Sequence, residues 1–178
     1  VANGLTLNNL VSTNNAASSI GIQITSTGWG ANGRLFGGLF STNGPLAALL
    51  GRFAIETATE DFFYVDAASV SGSLKLTGLD TNYLYNLRMF GTRVVSNQVR
   101  RTEYIARGRT TQSVVLVTSG ANTGENGYAG NNANISSLNG LQPNASGEIS
   151  LEVKVAAGDF AYLGVLEIQE APWVSTGA

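Results

Sequence analysis

The sequence has no cysteine, no histidine, one methionine, three prolines and only 12% charged residues. Each shortage excludes something. Without cysteine there are no disulfides and no thiolate chemistry, so the fold must stand on a core large enough to need no staples. Without histidine there is no Ser-His-Asp or Cys-His nucleophilic site, no His-bearing zinc site and no imidazole acid or base. No apolar run approaches the roughly 18 residues of a membrane helix; the longest candidate is the short Pro45 to Leu50 segment, so no membrane span is expected. Excess basic charge is missing too: a net charge of −2 and a pI near 5.0 give no overall attraction to nucleic acid, which is set aside as a partner.

What is present fits a globular β-protein. A chain of 178 residues with 43% hydrophobic content can bury one core, and residues 1–178 read as a single domain with 169–178 as a tail. Its polar surface is built from Gly, Asn, Ser and Thr rather than from charge, as in extracellular β-proteins and virion proteins. The expected location is therefore extracellular or at a cell surface.

Period-two alternation marks half-buried strands. Ile20, Ile22 and Ile24 share one face. Ile149, Leu151, Val153 and Val155 do the same against Ser150, Glu152 and Lys154. Further strands are predicted over 53–56, 62–65, 73–79, 83–90, 101–107, 113–118 and 160–168. Five Asn-Gly pairs, at Asn3, Asn32, Asn43, Asn126 and Asn139, are read as turns because both residues tolerate positive φ. Only 46–52, behind Pro45, suggests a helical turn. Many short strands and many turns predict an all-β antiparallel β-sandwich, jelly-roll-like. Two long polar loops, 26–43 and 119–134, are of the length that more often carries function than not.

The segments Leu76-Thr77-Gly78-Leu79-Asp80, Tyr83 to Phe90, Gly91-Thr92-Arg93, Arg101-Thr102-Glu103-Tyr104, Leu141 to Ile149 and Tyr162 to Ile168 resemble bacterial extracellular β-sandwich domains, specifically carbohydrate-binding modules of the galactose-binding-like or jelly-roll kind. The resemblance implies a non-catalytic module that holds a polysaccharide or other glycan. It also implies an opening strand before Asn9-Leu10-Val11 that this chain would lack, leaving a sheet edge open to self-association. Such domains often hold a structural calcium ion. No Asp-x-Asp-x-Asp-Gly loop occurs here, so such a site would have to be assembled from distant loops and its ligands are unknown.

Residue by residue, catalysis has little to work with. A glycosidase needs two carboxylates about 5 to 9 Å apart across a cleft. Glu56, Glu60, Asp61, Asp66, Glu148 and Asp159 are the candidates, and as isolated or adjacent residues they fit turns, edges and Arg partners; no catalytic residue is assigned. The positive charge is more informative. Six of the eight arginines fall between Arg88 and Arg109. Along the strand around Tyr104, residues Arg101, Glu103, Ile105, Arg107 and Arg109 share one face. Arginine's planar fork suits the carboxylate or sulfate of an acidic polysaccharide; alternatively this is an ordinary solvated sheet face with paired charges. Sugar rings also need a flat apolar partner. Trp29 and Tyr128, each in a long polar loop, are the expected stacking platforms, with Asn131, Asn132, Arg107 and Arg109 as polar ligands. The alternative from another class is a structural subunit of a fibre, surface layer or virion, associating by strand addition. The Asn134 and Asn144 sequons are read as coincidence in an Asn- and Ser-rich chain.

Overall fold

The computed structural model describes residues 1–40 and 47–172. Among these residues there are twelve strands, and every pairing between them is antiparallel. In chain order these are β1 (Thr6–Leu7), β2 (Gly21–Ile24), β3 (Gly30–Asn32), β4 (Phe62–Asp66), β5 (Ser71–Thr77), β6 (Tyr83–Phe90), β7 (Arg100–Arg107), β8 (Thr111–Ser119), β9 (Ser136–Leu141), β10 (Ile149–Ala157), β11 (Phe160–Leu163) and β12 (Val165–Pro172). One layer is a six-stranded sheet in the order β1-β2-β5-β10-β7-β8. The facing layer consists of two three-stranded sheets, β11-β4-β3 and β12-β6-β9. The result is an all-β antiparallel sandwich of jelly-roll-like architecture.

Alternation dictates the core. Leu74 and Leu76 of β5, Tyr104 and Ala106 of β7, and Ile149, Leu151 and Val153 of β10 point inward from the large sheet. They meet Tyr85, Leu87 and Met89 of β6, Leu138 and Leu141 of β9, and Ala161 and Leu163 of β11. Most of these side chains are wholly buried, and each large one contributes about 1.5–3 kcal/mol relative to exposure. A smaller cluster of Leu39, Leu50, Phe53 and Phe90 packs beside it. Polar links also cross between the layers. The Tyr104 hydroxyl donates to the Tyr162 carbonyl at 2.6 Å, and the buried Arg100 guanidinium donates to the Tyr162 hydroxyl and lies 4.8 Å from the Phe160 ring centre.

Four expectations change. The strand predicted over 53–56 is a 3-10 turn, Gly51–Phe53, followed by the helical turn α2 (Glu56–Thr59). Phe53 turns into the smaller cluster while Ile55 is left exposed, so no alternating face forms. The helical turn predicted over 46–52 is met by α1 (Ala47–Leu50) running into that 3-10 turn, Leu46 lying outside the described residues. The strand predicted over 160–168 breaks at Gly164, where the chain leaves β4 and takes β6 as its partner. Of the tail assigned to 169–178, Gln169 to Pro172 belong to β12 and pair with Asn86 to Tyr83; 173–178 lie outside the described residues. Finally, Asn139-Gly140 is not a turn. The two residues oppose the single Asn86 as a bulge in β9, Gly140 at φ 66° donating its N–H to Asn86 Oδ1 at 2.9 Å.

Candidate functional site

Three turns meet at one end of the sandwich. Between β5 and β6, Asp80 Oδ1 accepts from the Asn82 N–H at 2.8 Å and from Asn82 Nδ2 at 2.9 Å, an Asx turn that fixes Thr81 and Asn82. Below it Tyr85 is fully buried and its hydroxyl accepts from the Asp80 N–H at 2.9 Å; burial pushes this phenol up to about 12. Between β7 and β8, the Arg109 N–H donates to the Gln142 carbonyl at 2.9 Å. That approach requires Gly108, since a side chain there would run into the Gln142 carbonyl. Past β9, Asn144 Oδ1 accepts from the N–H groups of Ser146 and Glu148 and closes the third turn.

Together the turns enclose an open cleft of about 410 Å³ lined by Thr81, Asn82, Arg109 and Gln142. Its lining is a hydroxyl, two carboxamides and one guanidinium. Among the described residues Arg109 makes no ion pair. Tyr83, 39% exposed, is one step outward from Tyr85 on the same face of β6 and stands at this end of the fold.

No family model matches this chain, and no curated protein matches it. Solved structures do. TmCBM61 in complex with beta-1,4-galactotriose is 12% identical with a TM-score of 0.43, over 86% of this chain and 90% of that one. The enzymatically active domain of tailspike protein 4 of bacteriophage CBA120 is 9% identical with a TM-score of 0.38, over 82% of this chain and 20% of that one. At that distance neither carries a function across, and the reading of this chain rests on its own residues.

The six expected ligand residues are scattered. Arg109 lines the cleft. Arg107, two residues earlier on the outer face of β7, pairs with Glu152 of β10 at 2.7 Å. Burial pushes the Glu152 carboxyl up, but hydrogen bonds from Arg107 and Ser71 and the nearby cations hold it below its usual value. Trp29 is 5% exposed: its ring lies over Gly72 as part of the main core, and its Nε1 donates to the Ser73 carbonyl at 3.1 Å, so it presents no platform. The Tyr128 ring leans on the smaller core cluster. Its hydroxyl is buried beside Thr92, and burial pushes it up to about 12.

Asn131 and Asn132 are 0% and 3% exposed and serve their own loop. Asn131 Nδ2 donates to the carbonyls of Gly91 and Asn134 while its Oδ1 accepts from the Asn134 N–H; Asn132 does the same for Glu125. The outer face around β7 is therefore partly paired. Arg101 is exposed without an ion pair among the described residues, while Lys75 holds Glu148 at 2.8 Å. Among the described residues no three acidic side chains gather that could hold a metal ion. No helix among them is long and apolar enough to cross a membrane.

Sequence reasoning missed Thr81, Asn82 and Gln142. Thr81 and Asn82 are turn residues beside a recognised Thr-Gly-Leu-Asp segment, and the signal available was that this turn and Gly108-Arg109-Thr110 each follow a predicted strand; the first crosses to the facing layer and the second closes the β7–β8 hairpin. Nothing in sequence links Gln142 to them, because the contact depends on how the β9–β10 connection folds back.

Proposed function

We propose that this domain is a non-catalytic, extracellular or cell-surface glycan-binding module, and that it takes an acidic sugar in the Arg109 cleft. One observation carries the reading: an exposed guanidinium without a counter-charge stands among a hydroxyl and two carboxamides at a cleft of ligand size. A guanidinium fork pairs a carboxylate or sulfate bidentately, and hydroxyl-bearing rings use the amides. Such single sites are weak and act through repetition along a polymer. The test is a titration of the ¹⁵N-labelled protein with oligogalacturonate and with a sulfated disaccharide. Amide shifts centred on Thr81, Asn82, Arg109 and Gln142 are expected; shifts confined elsewhere, or none, reject the site.

A second reading, assembly by strand addition, is favoured by one feature. Strand β8 is a nine-residue edge of the large sheet without charge or proline, the devices that normally blunt an edge. The Thr118 carbonyl on that outer side is covered, accepting from the N–H groups of Arg93 and Asn131 at 3.2 Å. By strand alternation the same side continues through Leu116, Val114 and Gln112, where among the described residues no strand pairs with it. Polymers in negative-stain images that disappear in Val115→Lys would support assembly, and a monomeric elution volume at high concentration would reject it.

A further inference from the structure

The facing layer has a seam. Where β11 becomes β12 at Gly164, one three-stranded sheet stops and the other begins, and β3 ends and β4 begins beside the break. The seam holds a cleft of about 310 Å³ lined by Ala31, Asn32, Asp61, Phe62, Phe63 and Gly164. We infer that this cleft is a second glycan subsite, which binds a neutral hexopyranoside by stacking it on Phe63 and hydrogen-bonding its hydroxyls to Asp61 and Asn32.

Three observations converge there. First, Phe63 is 43% exposed although it shares a face of β4 with the buried Val65. Trp29 meets it edge-to-face, ring centres 6.0 Å apart at 70°, which fixes the plane of a ring that the cleft leaves open. Thus Trp29, which presents no platform of its own, orients one. Second, the Asp61 carboxylate and the Asn32 carboxamide make no hydrogen bond or ion pair from their side chains among the described residues. Asp61 lies against Gly33, a position where any side chain would displace it. A carboxylate and a carboxamide beside an aromatic ring supply what a pyranose needs: acceptors and a donor for its hydroxyls, and a flat apolar surface for its C–H face.

Third, the charge selects. Arg34, next in the chain to the Gly33 against which Asp61 lies, is held by both Glu56 and Glu60 at 2.5 Å, and among the described residues Asp61 makes no ion pair and keeps its negative charge uncompensated. An anionic sugar is repelled here and a neutral one is not. The end cleft with Arg109 has the opposite sign, so the two clefts sort acidic from neutral units.

The experiment is a titration of the ¹⁵N-labelled protein with methyl glycosides of glucose, galactose and mannose at millimolar concentration, each alone. At least one is expected to shift the amides of Ala31, Asn32, Asp61, Phe63 and Gly164, with affinity falling about tenfold in Phe63→Ala and also falling in Asp61→Ala. Should Phe63→Ala fail to fold, the exposed Asp61→Ala alone carries the test. Absence of shifts with all three sugars, or affinity unchanged in the variant, overturns the inference. The Arg109 cleft reports through different amides and an acidic probe, so either site can fail while the other stands.

Discussion

Replacing Tyr104 by Phe should test the way the two layers are joined. Tyr104 is 0% exposed in the centre of β7, and its hydroxyl donates to the Tyr162 carbonyl of β11 at 2.6 Å, across the sandwich. The ring itself is retained in Tyr104→Phe, so no cavity larger than the lost oxygen is made. What remains is a buried carbonyl without its donor, in a place water does not reach. Leaving such an acceptor unsatisfied costs about 1–3 kcal/mol. For a domain of this length each kcal/mol moves Tm by about 2–4 °C, so a drop of about 2–12 °C is expected. Urea unfolding should show a lower midpoint with an unchanged slope, because the surface exposed on unfolding is the same. A loss below about 0.5 kcal/mol would mean that the hydroxyl is not a cross-layer tie, and that apolar packing alone holds β7 to β11.

Gly108→Ala should destabilise by about 1–3 kcal/mol and weaken oligogalacturonate binding, since the new methyl group would push Arg109 away from the Gln142 carbonyl; thermal unfolding and titration of the one variant read both effects. The Glu148 carboxyl is held below its ordinary value of 4.5, first by the hydrogen bond from Lys75. Glu152 is also held low, by Arg107 and Ser71 against the opposing effect of burial. Because these folded-state values are depressed, their stabilisation is complete above about pH 4.5 and is lost as pH falls through the lower folded values. Acid unfolding followed by circular dichroism should therefore become shallower in Glu148→Gln with Glu152→Gln. In alkali, Tyr85 and Tyr128 should ionise near pH 12, while Tyr104, pushed up far more by complete burial, should ionise only on unfolding; ultraviolet absorbance at the phenolate band separates the classes.

The sheets were largely legible because one buried face forces period-two alternation, as at Ile149, Leu151 and Val153. Where alternation is too short or is interrupted, the reading failed. Phe53 to Glu56 has apolar residues of which one turns into a core and another stays outside. Gly164 and Gly140 are glycines whose roles, a change of partner and a bulge, depend on the neighbouring strand. Site residues were less legible. Arg109 could be found because it lies past the end of β7, where no core or cross-strand acid claims it. Trp29 looked like a loop aromatic, but Gly72 near the start of β5 opens the space into which its ring packs. Asn131 and Asn132 looked like ligands for the same reason that they are structural: short amides satisfy the backbone of their own loop. Phe63 was hidden in the run Phe62 to Val65, since only the seam at Gly164 exposes one inward-facing position of that strand.

The most direct measurement is the affinity of wild type and Arg109→Ala for oligogalacturonate at low and moderate salt, by calorimetry or amide shifts. The account predicts binding that weakens with salt in the wild type and falls about ten- to a hundredfold in Arg109→Ala, the worth of a hydrogen-bonded charge pair, with its salt dependence flattened. Equal affinity and equal salt dependence in both proteins would contradict it.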